Sequence, residues 1–343
     1  MVFVLGADWI PGAKAVQAAL WFWAGFSKLN HHFPHVVCVM TSNSPFTRFE
    51  WFRKLFYRSY PDDLSPSRLA VIAHGGIALE MLVPIVLLLG GGGPVTTIGL
   101  CLMVFLHAYI TSNVPMGVPI EWNVMMVYGA FFLFGKNAAV SLFAMPLPAA
   151  FFLAVMLVVI PLYGNLVPSK ISFLLAMRYY AGNWAYSIWL FKGESYRKLE
   201  RLTKTSAWVT DQLKILYDHK TSVGIVGKVM GFRLMHLHGR ALPQLLPKAV
   251  DRLEDYEWVD GEIIAGLVLG WNFGEGHLHR EQLLKAVQEQ CGFEEGELRC
   301  IFVESQPLGR STMAWRIADA KSGPRDSGEL QVAQLRECHP WGE

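Results

Sequence analysis

Charge is what this chain has little of. Only 17% of its 343 residues are Asp, Glu, Lys or Arg, against about 25% in an ordinary soluble domain. The shortage sits almost entirely in the first half, so that half does not read as a soluble globular domain. Cysteine is sparse too. Cys38, Cys101, Cys291, Cys300 and Cys338 are odd in number and form no C-x-x-C pair, which argues against a disulfide framework or a cysteine zinc site. No basic n-region precedes the first apolar run, so no cleavable signal peptide stands out. There is no G-x-S-x-G or H-E-x-x-H motif, no internal repeat and no low-complexity segment. The formal net charge of +2 argues neither way about nucleic acid, and no nucleic-acid partner is expected.

What is present is apolar length. Residues 11–29 form a first candidate span, short and carrying Lys14 and Gln17, so tilted or shielded by another helix. Stronger stretches cover 69–89, 94–112, 119–135 and 148–167, each of a length that suits a bilayer core. GGGGP joins two of them through a turn that Gly and Pro make readily, and Pro119 and Pro148 open helices, where a missing N–H costs little. Between the first and second spans lies a long polar connection, 30–67. Its run FEWFRKLFYRSY mixes aromatic and basic residues at near-helical spacing and reads as an interfacial helix or a surface helix on a loop. Residues 171–191 read as a further interfacial helix, with a sixth span as the alternative. The basic connection sets the positive-inside orientation, and four more crossings place the tail in the cytoplasm as well.

From Glu194 the composition becomes ordinary. YRKLERL, TDQLKILYDHK and GIVGKVMGFRLMHLHGRAL read as a helical connector. GEIIAGLVLGWNF, ELRCIFVES, MAWRIADA and ELQVAQL read as strands, with a helix HREQLLKAVQEQCG ending at Gly292. The expected fold is a polytopic α-helical membrane region followed by a small soluble α+β domain. It divides into a membrane region at 1–192 with about five spans, a helical connector at 193–256 and a cytoplasmic α+β domain at 257–343.

The stretch WFWAGFSKLNHHFPH is the centre of the functional reading. Lys28 is costly if it faces lipid. Topology places Lys28, His74, His107 and Glu121 on successive spans at similar depth from the cytoplasmic side, by the helical rise of about 1.5 Å per residue. Asn123 and the Asn165 region lie near enough to join. Glu80 is expected deeper and on a different face from His74. A desolvated lysine loses its proton more easily and becomes a base, with histidines as proton relays or anion ligands. The alternative is that Lys28 snorkels to the interface and the histidines bond backbone carbonyls.

AGFSKLN, then AHGGIALEMLVPIVLLL, FLHAYITSN and VPIEWNVMM, resemble in order and spacing the membrane domain of vitamin K-dependent gamma-carboxylase and its bacterial HTTM relatives, which carry an A-G-x-x-K-L motif. The resemblance covers about residues 21–135. It implies Lys28 as the base and His74 and His107 as histidines of the membrane core. The carboxylase has further spans upstream of that motif, so this chain resembles a shortened member or a fragment, and its tail does not resemble a propeptide-binding luminal domain. MHLHGRALP and GWNFGEGHLH resemble, across the whole chain, the bacterial multi-pass membrane family called domain of unknown function 3556. That resemblance implies a bacterial inner-membrane location and names no activity.

Two H-x-H pairs remain in the tail, His236 with His238 and His277 with His279. On a strand, alternate residues share a face, so each pair could chelate a metal such as zinc; on a helix, positions i and i+2 diverge. GEGH, with Gly274 and Gly276, reads as a tight turn or as an anion-holding loop. Expected partners are the lipid bilayer, a lipophilic or quinone-type small molecule, and a protein partner or second membrane subunit. No cofactor is assigned. The leading reading is a carboxylase-like membrane site with Lys28 as base; the rival is a non-enzymatic scaffold that recruits a partner through its cytoplasmic domain.

Overall fold

The computed structural model describes residues 8–113, 120–178, 183–234, 236–270 and 280–337. The chain forms two compact units, Met1–Val167 with Leu174–Ala181, and Pro168–Phe173 with Gly182–Glu343.

The first unit is helical. Helix α1 (Trp9–Ser27) begins at Asp8, whose Oδ1 accepts the Ile10 N–H at 3.0 Å and so satisfies one of the donors a helix start leaves open. The connection expected over 30–67 is more ordered than its polarity suggests. It holds α2 (Phe33–Asn43), α3 (Glu50–Phe56) and an antiparallel hairpin of β1 (Tyr57–Ser59) and β2 (Asp63–Pro66). Cys38, Phe56, Tyr57 and Ala70 make a small core there. FEWFRKLFYRSY is therefore helical only over α3, and its last residues turn into strand. Phe46, Phe49, Trp51 and Leu55 stay exposed.

Next come α4 (Arg68–Ala73), a 3₁₀ turn (His74–Gly76) and α5 (Ile77–Leu89). The paired glycines of H-G-G sit where the helix changes pitch, a common place for such a break. Gly91 and Gly92 take left-handed backbone (φ 56° and 91°), and the Gly92 N–H donates to Thr96 Oγ1 at 2.9 Å. That turn sends the chain into α6 (Pro94–Thr111). Helix α7 (Ile120–Ala130) runs on into a π turn (Phe131–Lys136). After it, α8 (Leu147–Ala154) and α9 (Ile160–Leu166) are joined by a second π turn, Val155–Val159, just before Pro161 removes a donor.

Among the described residues, three stretches are long and apolar enough to cross a membrane: Arg68–Leu89, Pro94–Thr111 and Leu147–Leu166. Only 31%, 22% and 22% of their most apolar windows are buried inside the protein, so most of that apolar surface needs another cover. Of the five spans expected, these are three; α1, with Lys14 and Gln17, and the 120–136 stretch are shorter in apolar length.

The second unit is built on a five-stranded antiparallel sheet in the order β4-β3-β5-β6-β7. Strand β3 (Tyr186–Lys192) leads into a 3₁₀ stretch (Gly193–Arg201), α10 (Val209–Leu213), α11 (His219–Leu234) and α12 (Leu237–Ala249). Then come β4 (Tyr256–Asp260), α13 (Gly261–Leu269), α14 (Glu281–Cys291), β5 (Leu298–Val303), β6 (Thr312–Asp319), β7 (Gly323–Gln331) and α15 (Val332–Glu337). Alternation along each strand sorts side chains to two faces. Tyr186, Ile188, Leu190, Ile301 and Trp315 pack with α12 and α15. Trp189, Phe191, Cys300 and Phe302 pack with α13 and α14.

Three expectations change here. The stretch 171–191, read as an interfacial helix, supplies β3, the strand paired on both sides. A strand buried on both faces shows an apolar run without alternation, and YSIWLF is such a run. The expected boundary at 192 therefore lies at the end of a sheet strand. GEIIAGLVL, read as a strand, is α13, capped by Asp260, whose Oδ1 accepts the Glu262 N–H at 2.7 Å, and closed by left-handed Gly270. In ELQVAQL the strand stops at Gln331 and α15 begins. The helix ending at Gly292, with φ 63°, and the strands ELRCIFVES and MAWRIADA are where the sequence places them.

Candidate functional site

In A-G-x-x-K-L the first function is steric. A Cβ on Gly25 would stand 2.7 Å from Met81 Cγ, so a glycine lets α1 and α5 approach closely. Three residues on, nearly one helical turn, Lys28 caps the same helix and turns to the same neighbour. Its Nζ donates to Glu80 Oε2 at 2.5 Å, and the two side chains are 12% and 9% exposed. The ammonium also lies 5.5 Å above the Phe33 ring, a cation–π distance. Glu80 is the partner that sequence reasoning set aside. That reasoning counted 3.6-residue turns from His74, but the 3₁₀ turn at His74–Gly76 interrupts the count.

His107, on α6, is buried and held from two sides. Trp21 Nε1–H donates to His107 Nε2 at 2.8 Å, and His107 Nδ1 lies 2.7 Å from Asn123 Oδ1. An indole nitrogen only donates, so Nε2 carries the lone pair and Nδ1 carries the proton that goes to Asn123. The neutral tautomer follows from partner chemistry alone. Trp21 and Lys28 are seven residues apart, two turns of one helix, so the His107 bond fixes the rotation of the face that bears Lys28.

The other predicted residues lie differently. His74 is in the 3₁₀ turn. Glu121 is exposed in the first turn of α7, and it is Asn123, two residues on, that reaches His107. Asn165 Nδ2 bonds Pro161 O and Ala176 O at 2.9 and 3.1 Å, apart from this group. A second polar tier sits farther up α1. Lys14 Nζ donates to the carbonyls of Asn137, Ala138 and Val140, and Gln17 Nε2 to Met126 O at 2.7 Å. The shielding expected for these two residues comes from the turn at 137–140 and the middle of α7.

In the second unit, His236 and His238 are each buried, with ring centroids 5.4 Å apart and planes 15° from parallel. His277 and His279 lie outside the described residues, as do Gly274 and Gly276. Among the described residues no group of three or more His, Cys, Asp or Glu is placed to hold a metal. Burial pushes the Cys291 and Cys300 thiols up, which disfavours the nucleophilic thiolate. Arg280, Glu304, Arg316 of β6 and Glu281 form a linked ionic chain. No local sequence signal marks it, because its members are scattered over 37 positions with no periodic spacing.

Membrane-length apolar helices in one unit and a helix-covered antiparallel sheet in the other define a transmembrane protein with a substantial α+β unit outside its apolar helices. The chain belongs to the family described as transmembrane protein of unknown function (DUF3556), whose model matches residues 1–343. Searches of curated proteins and of solved structures return no match.

Proposed function

We propose that the first unit carries a membrane-embedded site for a lipophilic, quinone-type ligand, centred on Lys28 and Glu80 with Lys28 as base. The observation that carries this reading is the nearly buried Lys28–Glu80 pair at 2.5 Å. Removing two charges from water costs several kcal/mol, and the mutual attraction often fails to offset it. Helix association does not require such a pair, since Gly25 already permits close packing of α1 on α5. Ionisable groups kept inside a membrane region at that cost mark ligand or proton paths. Ion pair and neutral pair differ by the position of one proton. With that proton on Glu80, the Lys28 amine takes a proton from a ligand hydroxyl, leaving ammonium and an oxyanion. His107 acts at one remove, holding α1 in register through Trp21. His74 and Glu121 remain candidate members of the site on the sequence reading alone. The A-G-x-x-K-L resemblance to the gamma-carboxylase and HTTM membrane domains supports the same role for Lys28, and the basic residues of 30–67 support a cytoplasmic second unit in a bacterial inner membrane.

The test uses Lys28→Met/Glu80→Met, which removes both charges of the pair together. Saturable quenching of tryptophan fluorescence by menadione is expected in the wild-type chain in membranes. At least about tenfold weaker binding, equivalent to about 1.4 kcal/mol, is expected in the double variant with helix content unchanged. Equal menadione binding by the two would sink the proposal.

A scaffold reading is favoured by one observation, the engagement of both His107 nitrogens by protein. There the polar contacts lock helices together and the sheet unit recruits a partner. In that case Lys28→Met lowers stability and leaves no ligand binding to lose.

A further inference from the structure

Helix α3 is apolar on two sides, and the helical unit covers one of them. Phe56 is buried with Cys38, Tyr57 and Ala70, and Phe52 packs against the same core with its ring stacked on Phe56 at 4.7 Å. Arg53 fixes the rotation of the helix. Its Nη1 donates to the Tyr60 hydroxyl and its Nη2 to Ser42 O, each at 3.0 Å. Trp51 and Leu55, at i and i+4, share another side of the helix, and that side faces outward. Trp51 is 63% exposed and Phe46, just ahead of the helix, 74%. Phe49 is exposed as well, its ring stacked on Trp51 at 6.4 Å and 11° from parallel. Exposed apolar surface gathered in this way marks a site of interaction.

Chain connection sets where that side lies. The β1–β2 hairpin folds the chain back, so that the Ser67 N–H donates to Phe56 O at 2.8 Å. Ser67 directly precedes Arg68, the first residue of the membrane-length stretch Arg68–Leu89. The C-terminal end of α3 therefore lies against the start of that stretch. Where such a helix crosses a bilayer, its end is the level at which acyl chains give way to headgroups. Tryptophan collects at that level, and basic residues beside it meet anionic lipid. Residues 44–68 carry Arg48, Arg53, Lys54, Arg58 and Arg68 against Glu50, Asp62 and Asp63, a positive balance that suits an anionic surface. Arg48 lies between Phe46 and Phe49 in sequence and Lys54 beside Leu55, and both are exposed. Lys54 pairs with Glu50 at 2.8 Å, but both side chains face solvent, and a change of partner there costs little. Four apolar side chains fall short of the roughly 20–30 residues a side of a stable protein interface. A bilayer held close by the apolar helices needs no such area.

We propose that α3 is a lipid-binding element. Phe46, Phe49, Trp51 and Leu55 enter the boundary between headgroups and acyl chains, and Arg48 and Lys54 hold the phosphates of anionic phospholipid. Arg53 is a positioning residue, engaged with Tyr60 and Ser42. The surface is independent of Lys28 and Glu80.

The experiment uses the full chain in phospholipid vesicles. Cys101→Ser, at an exposed thiol, and Cys338→Ser clear the background, and Leu55→Cys carries a bimane label. Lipids brominated on their acyl chains are expected to quench the label, and aqueous iodide to leave it emitting. Titration of brominated phosphatidylglycerol against brominated phosphatidylcholine is expected to show about fivefold preference for the anionic lipid, the scale of one surface cation. Arg48→Gln/Lys54→Gln is expected to bring that ratio to about one, and Phe49→Ser/Trp51→Ser to admit iodide. All four positions are exposed, so helix content is expected to stay unchanged in both variants. Strong iodide quenching in the labelled parent overturns the proposal. Protection from iodide and brominated lipid together does so as well, since a protein would then cover this side. An unchanged lipid ratio in Arg48→Gln/Lys54→Gln, or continued exclusion of iodide in Phe49→Ser/Trp51→Ser, also overturns it.

Discussion

The two units bury polar groups by different rules. In the helical unit several buried polar side chains make discrete contacts across to a neighbouring segment: Lys14 to three carbonyls of the turn after Lys136, Gln17 to Met126, Trp21 to His107, Lys28 to Glu80. Large apolar side chains are common on its outside, Phe105 at 68% and Phe151 at 72% exposed among them. In the sheet unit two apolar cores fill both faces of β3 and β5, and an ionic chain runs from Glu281 and Arg280 to Glu304 and to Arg316 of β6. Where the surroundings are as apolar as the interior, burial of hydrocarbon cannot tell inside from outside, and small residues and hydrogen bonds must. Where the surroundings are water, apolar burial does that work.

The widest test of this contrast truncates one aromatic in each unit. Trp189→Ala empties a fully buried site in the sheet unit and is expected to cost about 3–5 kcal/mol, read as a large loss of thermal stability. Phe105→Ala in the helical unit, assayed in detergent, is expected to stay within about 0.5 kcal/mol. Comparable losses would break the comparison. Next in size is Gly25→Leu. The new side chain must displace Met81 and approach the α5 backbone, with its nitrogen 3.4 Å from a Cβ. An overpacking cost of about 1–3 kcal/mol is expected, together with loss of a cross-link between cysteines introduced on α1 and α5. An unaltered cross-link would show that small residues do not set this contact.

The smallest effect belongs to the ionic chain of the sheet unit. Burial alone would raise the Glu281 carboxyl, but its hydrogen bond and charge contact with Arg316 outweigh that and hold it below its ordinary value. A carboxyl lowered in the folded state contributes stability that is complete above the unfolded value and drains away as pH falls through the folded one. Acid titration of unfolding should therefore flatten in Glu281→Gln below the usual carboxylate range. Glu281 is 41% exposed, so solvent screens the pair and the difference should be under about 1 kcal/mol. A pH profile identical to wild type would remove Glu281 from the ionic chain's contribution.

Much of the helical unit was legible because its signals are local: apolar length, Pro at helix starts, and glycines at the 90–93 turn. Lys28 and His107 were legible as polar residues in apolar helices. Their partners were not. Glu80 was hidden by the 3₁₀ turn at His74, which breaks the periodic count, and Trp21 by its ordinary place in an aromatic run. In the sheet unit, β6 alternates and β5 is a short run with β-branched Ile301 and Val303, and both were readable. β3 is uniformly apolar and sits beside a membrane stretch, so its composition points to lipid. Helix α13 was masked by β-branched Ile263, Ile264 and Val268, although Asp260 before it and Gly270 after it are the local signs of a helix start and stop.

Strand β3 also bears on biogenesis. It begins at Tyr186, after the last apolar helix has ended at Leu166, yet pairs with β4, which begins at Tyr256, and β5, which begins at Leu298. Until those residues are made, YSIWLF has no partner on either edge and is as apolar as a membrane segment. A polypeptide begun at 193, after β3, would be synthesised without the strand that joins β4 to β5.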